Sequence, residues 1–259
     1  MKKTISLFLV VLLAMFLTGC KKKTVETNQN YQKKTEQINK LAIKDRPFVT
    51  LTPRVDGKEV TLEIDNVKNA TKVDYELEYQ TKDMIQGAFG NIDFNKEPTP
   101  VSKNILFGSC SKGVCKYDEG VSGGSLTLRF EGGTETYVLK SDFNLQNMFD
   151  RQGVFASKDV KATLDVGKSG LPPATYLIIS STMGLPKEVE GEIIAGPYAF
   201  LAATSPTLKA TLTVKSSADL TGAKLMFWTG KAWTELKSTI VDGSISAPVT
   251  NLGVFVVTK

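Results

Sequence analysis

From Phe48 onward the chain alternates apolar and polar residues in short bursts separated by Gly, Asn, Asp and Pro. Successive side chains of a strand point to opposite faces, so this period of two predicts half-buried β-strands, and no stretch predicts a long amphipathic helix. The clearest burst puts Val73, Tyr75, Leu77 and Tyr79 on one face and Asp74, Glu76 and Glu78 on the other. Val60, Leu62 and Ile64 make a second inward set, Leu126, Leu128 and Phe130 a third, and Tyr137, Leu139 and Phe143 a fourth.

With further strands at 48–51, 88–92 and 105–107, about seven strands fall in about 100 residues, the density of a β-sandwich of immunoglobulin or fibronectin-III type. The alternation lapses over 144–160, which marks a domain boundary, and a second series of strands follows at 162–166, 175–180, 197–202, 210–214, 224–228, 233–237, 245–249 and 254–258. The expectation is therefore all-β, with two consecutive β-sandwich domains at 47–149 and 150–259. The last 100 or so residues carry Tyr198-Ala199-Phe200, then the strand from Ala210 to Val214, Trp233-Thr234-Glu235-Leu236 and a closing Gly253-Val254-Phe255-Val256-Val257. This order resembles the ZU5-like β-sandwiches of surface and scaffold proteins. The shared positions are core apolar residues and turns, so the resemblance implies a fold and an extracellular interaction role and transfers no catalytic residue.

The beginning of the chain has a different character. Lys2 and Lys3 precede an apolar run over 5–17, short for a bilayer span and of the length of a signal-peptide core. Leu17-Thr18-Gly19-Cys20 follows. These four residues resemble the lipobox of bacterial lipoprotein precursors, which implies cleavage before Cys20 and acylation of its thiol. Two or three acyl chains, at about 0.8 kcal/mol per buried CH₂, hold a protein stably on a bilayer where one does not. Residues 1–19 then read as a signal peptide and 20–46 as the lipidated cysteine with a polar, flexible tether, in which Lys21, Lys22 and Lys23 sit at headgroup level or simply in solvent. The implied location is the extracytoplasmic face of a bacterial membrane, with the lipid as the membrane partner.

Three cysteines leave an odd thiol in an exported protein, and lipidation of Cys20 leaves Cys110 and Cys115 as a pair. Residues 110–115 read as a hairpin with Lys112-Gly113 as its two-residue loop, which sets the cysteines opposite each other within disulfide reach. A loop so short is stabilised by only about 2 kcal/mol, so the bridge pins a local segment. Two cysteines and no histidine anywhere cannot complete a tetrahedral metal shell. The formal charge of +5, reduced to +3 without Lys2 and Lys3, is dispersed and gives no basic footprint for nucleic acid.

Few residues suggest chemistry. Gly167-Lys168-Ser169 carries the end of a phosphate-binding loop, but Ala162 stands where the leading glycine belongs and prolines follow where a helix must begin. Ser157, Ser169 and Ser181 have no histidine to activate them. Trp228 and Trp233 flank a turn and read either as cross-strand packing or as an aromatic platform for a sugar. The face formed by Asp74, Glu76 and Glu78 is a solvated strand face or a site for calcium or a basic partner. Asp118, Glu119 and the glycine-rich residues up to 124 are a plain connection or a recognition loop held by the disulfide. No cofactor, metal or catalytic residue is expected. The expected role is a non-catalytic surface interaction or adhesion module for a protein or glycan, with an envelope structural component and a carbohydrate-binding or hydrolase accessory protein as alternatives.

Overall fold

The structure is a computed structural model that describes residues 37–259; Cys20 and the residues before it, read above as a lipobox and a signal peptide, lie outside the described residues. Among the described residues nineteen strands follow one another. They are β1 (Phe48–Pro53), β2 (Glu59–Asp65), β3 (Lys72–Gln80), β4 (Ile85–Asp93), β5 (Val101–Leu106), β6 (Gly108–Ser111), β7 (Val114–Tyr117), β8 (Gly123–Glu131) and β9 (Tyr137–Asn147). A short helix α1 (Met148–Arg151) separates these from β10 (Val154–Ala156), β11 (Ala162–Asp165), β12 (Tyr176–Ser181), β13 (Ile193–Leu201), β14 (Ala210–Lys215) and β15 (Lys224–Trp228). The last are β16 (Trp233–Leu236), β17 (Thr239–Val241), β18 (Ser244–Val249) and β19 (Gly253–Thr258). The all-β expectation holds.

A nine-stranded sheet in the order β16-β15-β19-β13-β12-β9-β8-β3-β4 runs through the body. A three-stranded sheet, β1-β2-β5, and a five-stranded sheet, β10-β11-β14-β18-β17, cover it. Two large cores result. One gathers Val60, Leu62, Val73, Leu77, Phe107, Leu128, Phe143 and Leu145 under the three-stranded sheet. The other gathers Phe155, Leu164, Phe200, Leu212, Leu225, Ile245 and Phe255 under the five-stranded sheet.

Strand β12 belongs to both. Ile178 packs into the first core, whereas its neighbours Leu177 and Ile179 pack into the second. Adjacent strand residues face opposite ways, so the two covering sheets lie on opposite faces of the shared sheet. That placement accounts for the unbroken apolar run of β12, since a strand buried on both faces loses its alternation; β19 is also covered on both faces, with Phe255 and Val257 in the second core and Val256 against Leu185 and Val189. The boundary read at 149/150 falls in α1, and around it β9 pairs directly with β12, Asn147 opposite Tyr176 and Leu145 opposite Ile178. The sheet is continuous there.

Three local features depart from the sequence pattern. β10 and β17, three residues each, are too short to show a period. β13 begins at Ile193, before Pro197, because register shifts between Ile193 and Tyr198 take the proline out of the regular ladder. Residues 38–46, read as part of the tether, lie on the body. Ile38 bridges to Val138, and the Asn39 amide both donates to and accepts from the Lys140 backbone, at 2.9 Å each. The half-buried Arg46 guanidinium donates to the carbonyls of Leu41 and Asn39, and its burial lowers its pKa.

Candidate functional site

A cleft of about 850 Å³ opens where four separate chain segments meet. Its first wall is the turn between β1 and β2. Gly57 sits there at φ +68°, and a Cβ on it would come within 2.7 Å of the Tyr176 ring, so the tyrosine packs flat on a turn that only glycine permits. Arg54 holds the turn from the side through Asp56, at 2.8 Å, and that hydrogen bond is the main cause that keeps the Asp56 carboxyl below its ordinary range.

The second wall descends from the disulfide hairpin. β6 pairs with β7, Cys110 faces Cys115 with Cα atoms 4.0 Å apart, and their sulfurs are joined. Lys112 and Gly113 form the loop with φ of 50° and 81°, the positive values that a primed turn demands. At the foot of β7, Tyr117 faces the cleft, with Lys58 Nζ 4.8 Å and the Arg54 guanidinium carbon 5.4 Å from its ring centre. Cations over an aromatic face are attracted by its quadrupole, so this pair ties the hairpin base to the β1–β2 turn.

Asp118 and Glu119 come next. The Tyr79 hydroxyl donates to the Asp118 carboxylate at 2.8 Å; burial chiefly, and this anionic partner secondarily, push the Tyr79 pKa up to about 12. The segment is tied at several points along its backbone. Asp118 N–H donates to the Phe107 carbonyl, Lys82 N–H to the Glu119 carbonyl and Ser122 N–H to the Gln80 carbonyl, at 3.0, 2.9 and 3.2 Å. It is thus a held wall and not a free loop.

The far wall is the end of β9 and α1. Asn147 caps α1, its side-chain Oδ1 accepting from Asp150 N–H at 2.8 Å, which fixes Asp150 and Arg151 at the rim. Phe149 stands beside them with 77% of its surface exposed. Four carboxylates (Asp56, Asp118, Glu119, Asp150) line the cleft against two cations, Lys58 and Arg151. Such a surface favours neutral or cationic ligands. Among the described residues no three acidic or cysteine side chains are grouped to hold a metal ion.

Of the residues singled out in the sequence, the structure brings Asp118, Glu119 and the bridged cysteines to one place. Trp228 and Trp233 are elsewhere. They face each other across β15 and β16 with ring centres 5.4 Å apart; Trp233 donates its indole N–H to the Lys187 carbonyl at 2.8 Å and packs against Leu185, Val189 and Val256. Asp74 and Glu78 lie on the outer face of β3, with Lys72 and Lys140 each 3.9 Å from one of them. Asp56, Tyr117, Asp150, Arg151 and Tyr176 carried no sequence signal beyond turn and cap chemistry, because nothing local joins them. No family model matches the chain, and no curated protein matches it.

Proposed function

We propose that the chain is a lipid-anchored protein of the extracytoplasmic face of a bacterial membrane, whose all-β body is a non-catalytic interaction module that binds a protein or glycan in the cleft beside the disulfide hairpin. The observation that carries the binding reading is the cleft itself. It is large, polar and net acidic, and its walls are fixed by a glycine turn, a disulfide hairpin, a helix cap and a tyrosine–carboxylate hydrogen bond. Pre-fixed walls reduce the ordering cost of binding. The anchoring reading rests on Leu17-Thr18-Gly19-Cys20 and on Cys110 and Cys115 being joined, so that Cys20 is the one cysteine left over.

A carbohydrate-active accessory is the second reading, favoured by four carboxylates in one cleft. Glycoside hydrolysis needs one carboxyl held protonated near neutral pH beside an ionised one, and Asp56, kept ionised by its hydrogen bond from Arg54, suits only the second of these roles. The test is a glycan and protein array probed with the Cys20→Ser chain. Binding that is lost in Asp118→Asn/Glu119→Gln, with no turnover of the bound ligand, supports an interaction module. Turnover, or binding that ignores both substitutions, refutes it.

A further inference from the structure

We propose that β4 is a self-pairing edge through which two copies of this chain join antiparallel, with the two-fold axis at Phe89, to extend the nine-stranded sheet across a dimer. The inference is independent of the cleft. It rests on what this edge exposes.

Thr81 N–H donates to the Met84 carbonyl at the start of the β3–β4 hairpin and Phe94 N–H to the Thr71 carbonyl at its end. Pairs that exchange hydrogen bonds alternate along an antiparallel ladder, so Gln86, Ala88, Gly90 and Ile92 bond inward to β3. The N–H and C=O groups of Ile85, Gly87, Phe89 and Asn91 point out of the sheet, and among the described residues no strand pairs beyond them. Their side chains share the outer face, where Ile85 is 68% and Phe89 85% exposed.

Native proteins protect such edges with short strands, charges, proline or covering segments. The other edges of the three-, five- and nine-stranded sheets follow that rule. β10 and β17 have three residues each, and the side chains of Gln146 and Asn144 cap Ala156 N–H and C=O on β10. β16 has four residues and carries Glu235, β5 carries Lys103, and Thr182 and Pro47 backbone contacts flank the start of β1 before it ends on Pro53. β4 has nine residues, no proline, no regular-ladder irregularity and no charge before its last residue, Asp93.

A second copy fits this strand by register. Phe89 is the midpoint of Ile85–Asp93. A two-fold axis there sets Phe89 against its own equivalent and each Gly87 against the other copy's Asn91, every pair exchanging both backbone bonds. The aromatic pair covers both exposed rings, and no like charges meet across the new ladder. Closed two-fold pairing of one surface with itself also consumes the edge, leaving nothing to template a third copy.

The experiment uses the chain with Cys20→Ser, in which Cys110 and Cys115 are bridged and no other thiol remains. Sedimentation across a dilution series is expected to show a monomer–dimer equilibrium. Phe89→Lys should weaken it about tenfold or more, and Gly87→Pro, which removes only an outward N–H, should weaken it while circular dichroism stays that of the parent. Phe89→Cys should form a cross-linked dimer on mild oxidation, and Val55→Cys, at a similarly exposed site, should not. A monomer at every concentration, a dimer that tolerates Phe89→Lys, or cross-linking no better through Phe89→Cys than through Val55→Cys overturns the proposal.

Discussion

Ile178→Ala is expected to destabilise the first and second cores as one unit. Ile178 is fully buried, belongs to the first core, and stands on the strand whose neighbouring residues serve the second. Truncating a buried isoleucine to alanine costs about 2–5 kcal/mol through lost transfer energy and the cavity left behind. For a folded body of this size each kcal/mol lowers Tm by about 2–4 °C, so a mid-range loss of about 3 kcal/mol corresponds to about 10 °C. The assay compares two signals during thermal unfolding. Fluorescence of Trp228 and Trp233 reports the end of the sheet beside the second core, and far-ultraviolet circular dichroism reports all strands. Because β9 and β12 pair directly, both midpoints should fall together. A tryptophan midpoint that keeps its wild-type value while circular dichroism splits into two steps would refute the coupling and make the halves independent domains.

Tyr79→Phe removes the donor to Asp118 and should cost about 1–2 kcal/mol, with weakened ligand binding as its second effect; binding unchanged at equal folding would separate Asp118 from the site. In the unaltered protein the Tyr79 phenol, raised to about 12, contributes stability that is complete below its unfolded value of about 10 and disappears as pH rises through the folded value, so an alkaline titration by tyrosinate absorbance should show late ionisation, earlier in Asp118→Asn. Asp219 is depressed mainly by its hydrogen bond from Lys259. Its contribution is therefore present above about pH 4 and is lost as acid approaches the lowered pKa; carboxyl titration by NMR should show a return towards the ordinary range in Lys259→Ala, and an unmoved titration would contradict that cause. Cys110→Ser/Cys115→Ser should lower stability by only about 2 kcal/mol or less while loosening the cleft wall, seen as faster amide exchange at Tyr117 and Asp118; a loss well above this range would mean that the bridge supports a core.

The parts of the fold legible in the sequence were those that one strand declares by itself. In β3, Leu77 is buried and Glu78 exposed, and the alternation says so directly. The cysteine hairpin was equally plain, since spacing and a Lys-Gly loop fix its register. β12 was visible as a strand, yet the two cores that it joins were not, because a continuous apolar run says that both faces are covered and not by what. The shared sheet was hidden for a related reason: the β9–β12 pairing spans the lapse in alternation, and pairing partners leave no mark in either strand. The cleft was only half legible. Asp118 and Glu119 drew attention as an acidic segment next to a disulfide, but Asp56, Asp150 and Tyr176 reach them through tertiary structure alone. Exposed Phe89 was invisible because it occupies the outward phase of a strand whose inward phase is Ala88 and Gly90, a weak contrast in hydropathy.

The claim on which location and role both depend is chemical. Intact mass and terminal sequencing of the protein purified from the cells that make it should find a chain that starts at Cys20 and carries a thioether-linked diacylglyceryl group on its sulfur. A mature chain that starts at any other residue, or a Cys20 without fatty acid, would contradict the anchoring and leave the β body without its membrane.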